Sequence, residues 1–256
     1  MTALYDQIIF GPVRSRRLGL SLGVNLLPVD NKICSFECIY CECGWSRPEG
    51  RMRFNARDDV RRELEARLNG MVAAGTPPDA VTFAGNGEPT LHPHFEAIID
   101  DALALRERLC PSARISVLSN ATAIDREDVR RALLRVDNNI LKLDSAIDAT
   151  VQLIDNPHSS YSVAETVRLM KLFGGRLVIQ TMFLRGECRG MWVDNTTEEE
   201  IETWLGALRE VKPQRVMIYA IDRDTPLDTL QKVPLDQLEA IARRVRDEGM
   251  ECSTAG

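Results

Sequence analysis

Polar and apolar positions along the chain alternate between two kinds of stretch. Runs rich in Val, Ile, Leu or Phe, five to ten residues long, occur at 18–27, 80–84, 114–119, 139–145, 176–184 and 215–221. Their length and composition predict strands. Between and after them, helical spacing predicts helices at 58–69, 94–109, 126–134, 163–173, 197–209 and 235–247. Several carry start signals. Asp125 precedes the third helix, Ser162 precedes the fourth with Glu165 following, and Thr196-Thr197 leads into Glu198, Glu199 and Glu200. Short polar side chains at such places satisfy the free amides of a first turn. Gly174-Gly175 predicts the stop of the fourth helix. The recurrence of strand then helix predicts six βα units around a parallel sheet. No linker or low-complexity tract interrupts them. Residues 1–256 therefore read as a single domain: an N-terminal strand region (1–30), a loop (31–57) and the remaining units (58–256). The pattern fits a doubly wound open sheet or a closed or partly closed barrel. In either, reactive groups belong at the carboxyl ends of the strands.

Composition narrows the classes. The 256 residues are 44% hydrophobic and 27% charged, which excludes fibrous and wholly disordered readings. No run approaches the ~20 apolar residues that cross a bilayer, and the N-terminus shows no basic head followed by an apolar stretch, so a cytoplasmic location is expected. The net charge of −6 makes a poor non-specific binder of nucleic acid. The charge is uneven: residues 1–57 hold eight basic and five acidic residues (+3), and the remainder holds 24 against 33 (−9). Seven cysteines, an odd number, argue against a disulfide framework.

Three of those cysteines carry the strongest chemical signal. Cys34, Cys38 and Cys41 stand four and three residues apart, with Cys43 two further on. Thiolates so close on a loop after a strand can converge on one metal centre, and iron–sulfur clusters are normally held by four. Three ligands leave one iron open to a non-protein ligand, the mark of a reactive cluster. Structural zinc is the alternative. It usually needs a second pair of ligands at knuckle spacing, and His92, His94 and His158 do not supply one.

Cys34-x3-Cys38-x2-Cys41, with Tyr40 just before the third cysteine, resembles the signature of radical S-adenosylmethionine (radical SAM) enzymes. Gly85-Asn86-Gly87-Glu88-Pro89, directly after the strand at 80–84, resembles that family's loop for the methionine amino group of SAM. Glycines there let backbone approach a ligand closely, and Glu88 can accept bonds from an ammonium. The stretch from Gly11 to Pro28 resembles the branch that contains the wyosine-forming tRNA enzyme.

The resemblance implies an α/β fold, a partial (β/α)6 barrel of parallel strands with outer helices. It implies a [4Fe-4S] cluster on Cys34, Cys38 and Cys41, with SAM chelated at the open iron. One electron would split SAM into methionine and a 5′-deoxyadenosyl radical, which abstracts hydrogen from a substrate. An external one-electron reductant of flavodoxin or ferredoxin type is then a partner. Implied SAM contacts, besides residues 85–88, are Tyr40 at the adenine edge, Ser119, Asn120 and Asp144 near the ribose, Gln180, and Tyr219 and Ile221 beside the adenine.

The residues add their own argument. Lys142 and Asp144 share a face of the strand at 139–145, where buried parallel strands are normally apolar. That places them inside the barrel near its mouth, either beside SAM or as a structural pair. Arg14, Arg16 and Arg17 are expected to bind an anionic group of the substrate near the mouth. Three functions follow: a radical SAM enzyme acting on a small molecule or nucleoside-like group, an RNA-base-modifying enzyme, or a non-catalytic Fe–S or zinc module.

Overall fold

The computed structural model describes residues 4–15, 19–46 and 53–255. Arg16 and Arg17 lie outside them. Ten strands form one sheet: β1 (Ile9–Ser15), β2 (Gly19–Val24), β3 (Ala80–Phe83), β4 (Arg114–Ser119), β5 (Asn138–Lys142), β6 (Val178–Cys188), β7 (Met191–Asp194), β8 (Arg215–Ala220), β9 (Leu230–Lys232) and β10 (Cys252–Ala255). Their order is β1-β2-β3-β4-β5-β6-β8-β10. From β2 to β10 every neighbour in that order pairs in parallel. β1 runs antiparallel at one edge. β7 and β9 pair with the far half of β6 and extend it. The ends of the order, β1 and β10, are not paired, so the barrel is partial and the sheet does not close.

All six predicted strands are present. The sheet gains a seventh parallel strand, β10, whose Ser253 and Thr254 offer no apolar run to recognise. The helices are α1 (Arg57–Ala73), α2 (Phe95–Leu109), α3 (Glu127–Leu133), α4 (Asp148–Ile154), α5 (Val163–Met170), α6 (Glu198–Val211) and α7 (Leu235–Asp247). Helix α4 is the one the sequence pattern did not predict. At the start of α5 and of α6, the hydroxyls of Ser162 and Thr197 accept from the amides of Glu165 and Glu200. That is the capping the sequence suggested.

The two sheet faces differ, and the difference positions the site. Outward side chains such as Val81, Val117, Leu141, Ile179 and Ile218 pack against the helices in the large core. Trp204 of α6 is fully buried there; its indole N–H donates to Leu143 O (3.2 Å) and Thr181 Oγ1 (3.1 Å). Truncating such a side chain costs about 3–5 kcal/mol. The inner face carries a small apolar cluster of Ile140, Val178 and Met217 with Leu118. One step toward the carboxyl ends, inner positions become polar: Lys142, Gln180 and, past the end of β5, Asp144.

The direction of β1 corrects one expectation. Arg14 pairs with Leu20 and Ser15 with Gly19, at the amino end of β2. Arg14 therefore lies at the end of the sheet opposite the mouth, because the amino end of a parallel strand faces away from the carboxyl-end loops.

Candidate active site

The loop after β2 is fastened on both sides. On one, it pairs with the glycine-rich loop after β3: Ile33 N donates to Asn86 O (2.9 Å) and Glu88 N to Ile33 O (3.0 Å). Gly87 makes this possible. Its φ is +130°, and a Cβ there would lie 1.8 Å from Ile33 O. On the other side, the loop meets the end of α4. Glu37 N donates to Asp155 O, Ile39 N to Ile154 O and His158 N to Ser35 O, each at 2.9 Å. The sheet thus brings the three cysteines, the glycine-rich loop and the carboxyl ends of β4 and β5 to one place.

Two of the three cysteine sulfurs meet a nitrogen donor. Asn120 Nδ2 is 3.6 Å from Cys34 Sγ, and Lys142 Nζ is 3.6 Å from Cys38 Sγ. Cys43 Sγ donates to Gly85 O (3.2 Å), and the charge of Lys32 is felt at Cys41. Burial pushes the Cys34 thiol up to about 12 and Cys38 well above the ordinary thiol range. Cys41 is lowered to about 6, chiefly by the neighbouring Cys43 and against burial, with help from the charge of Lys32. A bound metal replaces such protons, because cysteine ligates as thiolate. Cys34, Cys38 and Cys41 feel one another's charge. Yet among the described residues no three Cys, His, Asp or Glu side chains converge tightly enough for a single ion. Thiols close enough to feel one another's charge, yet too far apart to grip one ion, suit a cluster that carries its own bridging sulfides.

Lys142 is the centre of a buried network. Its ammonium donates to Asp144 Oδ2 (2.7 Å), Asp155 Oδ1 (3.0 Å) and the Tyr40 hydroxyl. Burial opposes its charge, yet Asp144 and Asp155 hold it well above the ordinary lysine range. Lys142 is therefore a held cation. Asp155 also accepts from Cys38 (3.3 Å), and burial raises its carboxyl to about 7 against the pull of Lys142. The sequence reading missed Asp155 because it missed α4. It also missed Lys32, which is buried and donates to Glu37 Oε1 (2.8 Å) and Gly44 O (2.9 Å).

The expected SAM contacts divide by how much capacity they keep. Asn86 is saturated: its side chain exchanges bonds with the backbone of Tyr5 and donates to Pro28 O. Glu88 is buried and accepts from Thr90 N (3.0 Å), the Thr90 hydroxyl and Asn120 N (2.6 Å). These bonds engage both carboxylate oxygens and tie the loop after β3 to the end of β4. Gly85 and Gly87 approach Asn25 and Ile33 rather than open space. Asp144 accepts from Met182 N (2.8 Å), Lys142 and Tyr40. Asn120 links Cys34 to Ser35 Oγ (2.9 Å). Gln180, beside Lys142 in register, is buried, and its side-chain amide makes no hydrogen bond among the described residues. Tyr219 and Ile221 pack with Met182 and the cysteine loop in a second apolar cluster.

A partial parallel α/β barrel whose carboxyl-end loop presents three cysteines beside a glycine-rich loop defines a class of cluster-bearing enzyme folds. This chain belongs to the radical SAM superfamily, whose family model matches residues 30–198. That family uses a [4Fe-4S] cluster and SAM, and the protein is an enzyme of the class, which needs an external reductant. A UPF0026 protein of Helicobacter pylori (strain ATCC 700392 / 26695) is 31% identical over 219 residues, covering 84% of this chain and 67% of the relative. The chain thus spans about two thirds of that relative's length. A radical SAM methyltransferase from Sphaerobacter thermophilus superposes with a TM-score of 0.70 at 15% identity, over 92% of this chain and 65% of that one. TYW1 with a lysine-pyruvate adduct bound gives 0.61 at 14% identity, over 90% and 74%. At such identities these two establish the fold alone. No described helix is long and apolar enough to cross a membrane.

Proposed function

We propose that Cys34, Cys38 and Cys41 ligate the [4Fe-4S] cluster, that SAM binds at its open iron, and that the substrate is a small molecule or nucleoside-like group taken into the barrel interior. When bound, the cluster supplies the electron that cleaves SAM to methionine and a 5′-deoxyadenosyl radical. The observation that carries the reading is the fastening of the three-cysteine loop to the glycine-rich loop through Ile33 and Gly87.

The chain's own residues then have separable tasks. Backbone of the 85–88 loop receives the methionine end of SAM, since the Glu88 carboxylate is engaged. Asp144 and Lys142 fix the Tyr40 hydroxyl and so the approach of the adenine edge. Met182, Tyr219 and Ile221 supply an apolar wall that excludes water. Gln180 keeps free amide capacity on the inner face, and we assign it to SAM or substrate. Ser119 and Asn120 hold the rim beside Cys34. We read residues 1–256 as one core unit working in the cytoplasm with a flavodoxin- or ferredoxin-type donor.

Anaerobic purification tests this. The protein should be brown, carry four irons, and make 5′-deoxyadenosine from SAM with dithionite. Changing Cys34, Cys38 and Cys41 together to Ala should abolish colour and cleavage. A colourless protein carrying one zinc would refute the reading.

A further inference from the structure

Two lysine ammonium groups flank the cysteine trio, Lys32 buried and Lys142 with its side chain 16% exposed, and they are not equivalent. Lys142 faces two carboxylates, Asp144 and Asp155, whose side chains are 1% and 2% exposed. Its charge is enclosed by opposite charge. Lys32, two residues before Cys34, is 1% exposed and donates to Gly44 O (2.9 Å), three residues after Cys41, so its ammonium is tied between the two ends of the cysteine run. Its carboxylate partner Glu37 is 16% exposed, accepts from Ser46 N (3.0 Å) and lies 3.5 Å from His158 Nε2. The pair is a dipole with its positive end at the sulfurs and its negative end toward water. Water screens the exposed end more than the buried one.

Holding the loop does not require that charge. Backbone bonds fasten it on both sides, and a neutral donor could satisfy Gly44 O. Burying an ion pair is weak support for stability. Reducing a cluster adds an electron, and nearby positive charge and hydrogen bonds to the ligand sulfurs favour the reduced form. We propose that Lys32, set against Glu37, tunes the reduction potential of the cluster, raising it so that an external donor can deliver the electron. The inference rests on Cys34, Cys38 and Cys41 holding a [4Fe-4S] cluster.

The test is redox potentiometry on reconstituted full-length protein without SAM, read by electron paramagnetic resonance with iron counted. Lys32→Gln should keep wild-type iron and lower the ratio of reduced to oxidised cluster about tenfold at one poised potential, or ~59 mV. Lys32→Arg should stay near wild type. Glu37→Gln should move the ratio the opposite way, a signature a purely structural role would not give. An unchanged ratio in both Gln variants, or shifts of the same sign, would overturn the proposal. If Lys32→Gln loses iron, Glu37→Gln decides: a raised ratio supports tuning, and an unchanged or lowered one refutes it. A wild-type protein that binds no four-iron cluster refutes the ligand assignment itself, a failure visible before any substitution.

Discussion

Gly87→Ala probes the junction between the cysteine loop and the glycine-rich loop. The new Cβ would sit 1.8 Å from Ile33 O and 2.5 Å from Ile33 C, both backbone atoms that no rotamer can move aside. The φ of +130° is itself unfavourable for a residue with a side chain, at about 1–3 kcal/mol. Relieving the clash parts the loops and loses the bonds Ile33 N to Asn86 O and Glu88 N to Ile33 O. Each contributes about 1 kcal/mol. The sum is a loss of about 3–5 kcal/mol, with iron incorporation falling in parallel. Two glycines calibrate it. Gly75 has φ +70° but nothing within 4 Å of its would-be Cβ, so its change to Ala should cost about 1 kcal/mol. Gly70, inside α1 and equally unobstructed, should gain about 0.5–1 kcal/mol as Ala. Urea unfolding of the metal-free proteins and iron per reconstituted chain give both readouts. If Gly87→Ala unfolds within about 1 kcal/mol of Gly75→Ala and fills with iron normally, the junction does not hold the site together.

Lys142→Met should destabilise the metal-free protein by about 3–5 kcal/mol, because it strands Asp144 and Asp155 in the interior. Adding Asp155→Asn should restore part of that loss, and a single-variant effect under about 1 kcal/mol would show that the network relaxes freely. Arg14→Ala should leave SAM cleavage and substrate turnover at wild-type rates, since Arg14 pairs at the amino end of β2; a raised KM would return the arginines to the mouth. Burial lowers His92 below its ordinary 6.5, and its Nδ1 accepts from His94 N (3.0 Å), which only the neutral ring can do. The folded state then binds fewer protons than the unfolded one. The contribution of His92 to stability should be constant above about pH 6.5 and fall as pH drops below it. Denaturation midpoints of wild type and His92→Asn between pH 7.5 and 5.5 should diverge, and parallel pH slopes would sink this assignment.

What was legible in the sequence depended on where each residue's surroundings come from. The strands β2 to β6 and β8 announce themselves because a parallel strand buried on both faces is normally rich in apolar residues. β10 is short and small-residued, and its parallel pairing with β8 is decided by the sheet rather than by its own pattern. The cysteine spacing is local and was readable, as was the glycine-rich loop. The partners that hold them were not. Asp155 reaches Cys38 only because α4 ends beside the loop, and Lys32 is a single basic residue in a basic segment until the fold buries it. The direction of β1 likewise inverted the reading of Arg14.

The least legible property is remaining bonding capacity. Asn86, Glu88 and Asp144 carry the polar groups a motif reading assigns to ligand, yet each is consumed by internal bonds. A site meant to confine a reactive radical needs walls that do not move. Saturated buried carboxylates and amides build such walls, because releasing any one of them exposes an unpaired polar group at a cost of about 1–3 kcal/mol. Capacity for ligand is left to backbone and to side chains such as Gln180, whose register position on the inner face matters more than any motif it belongs to.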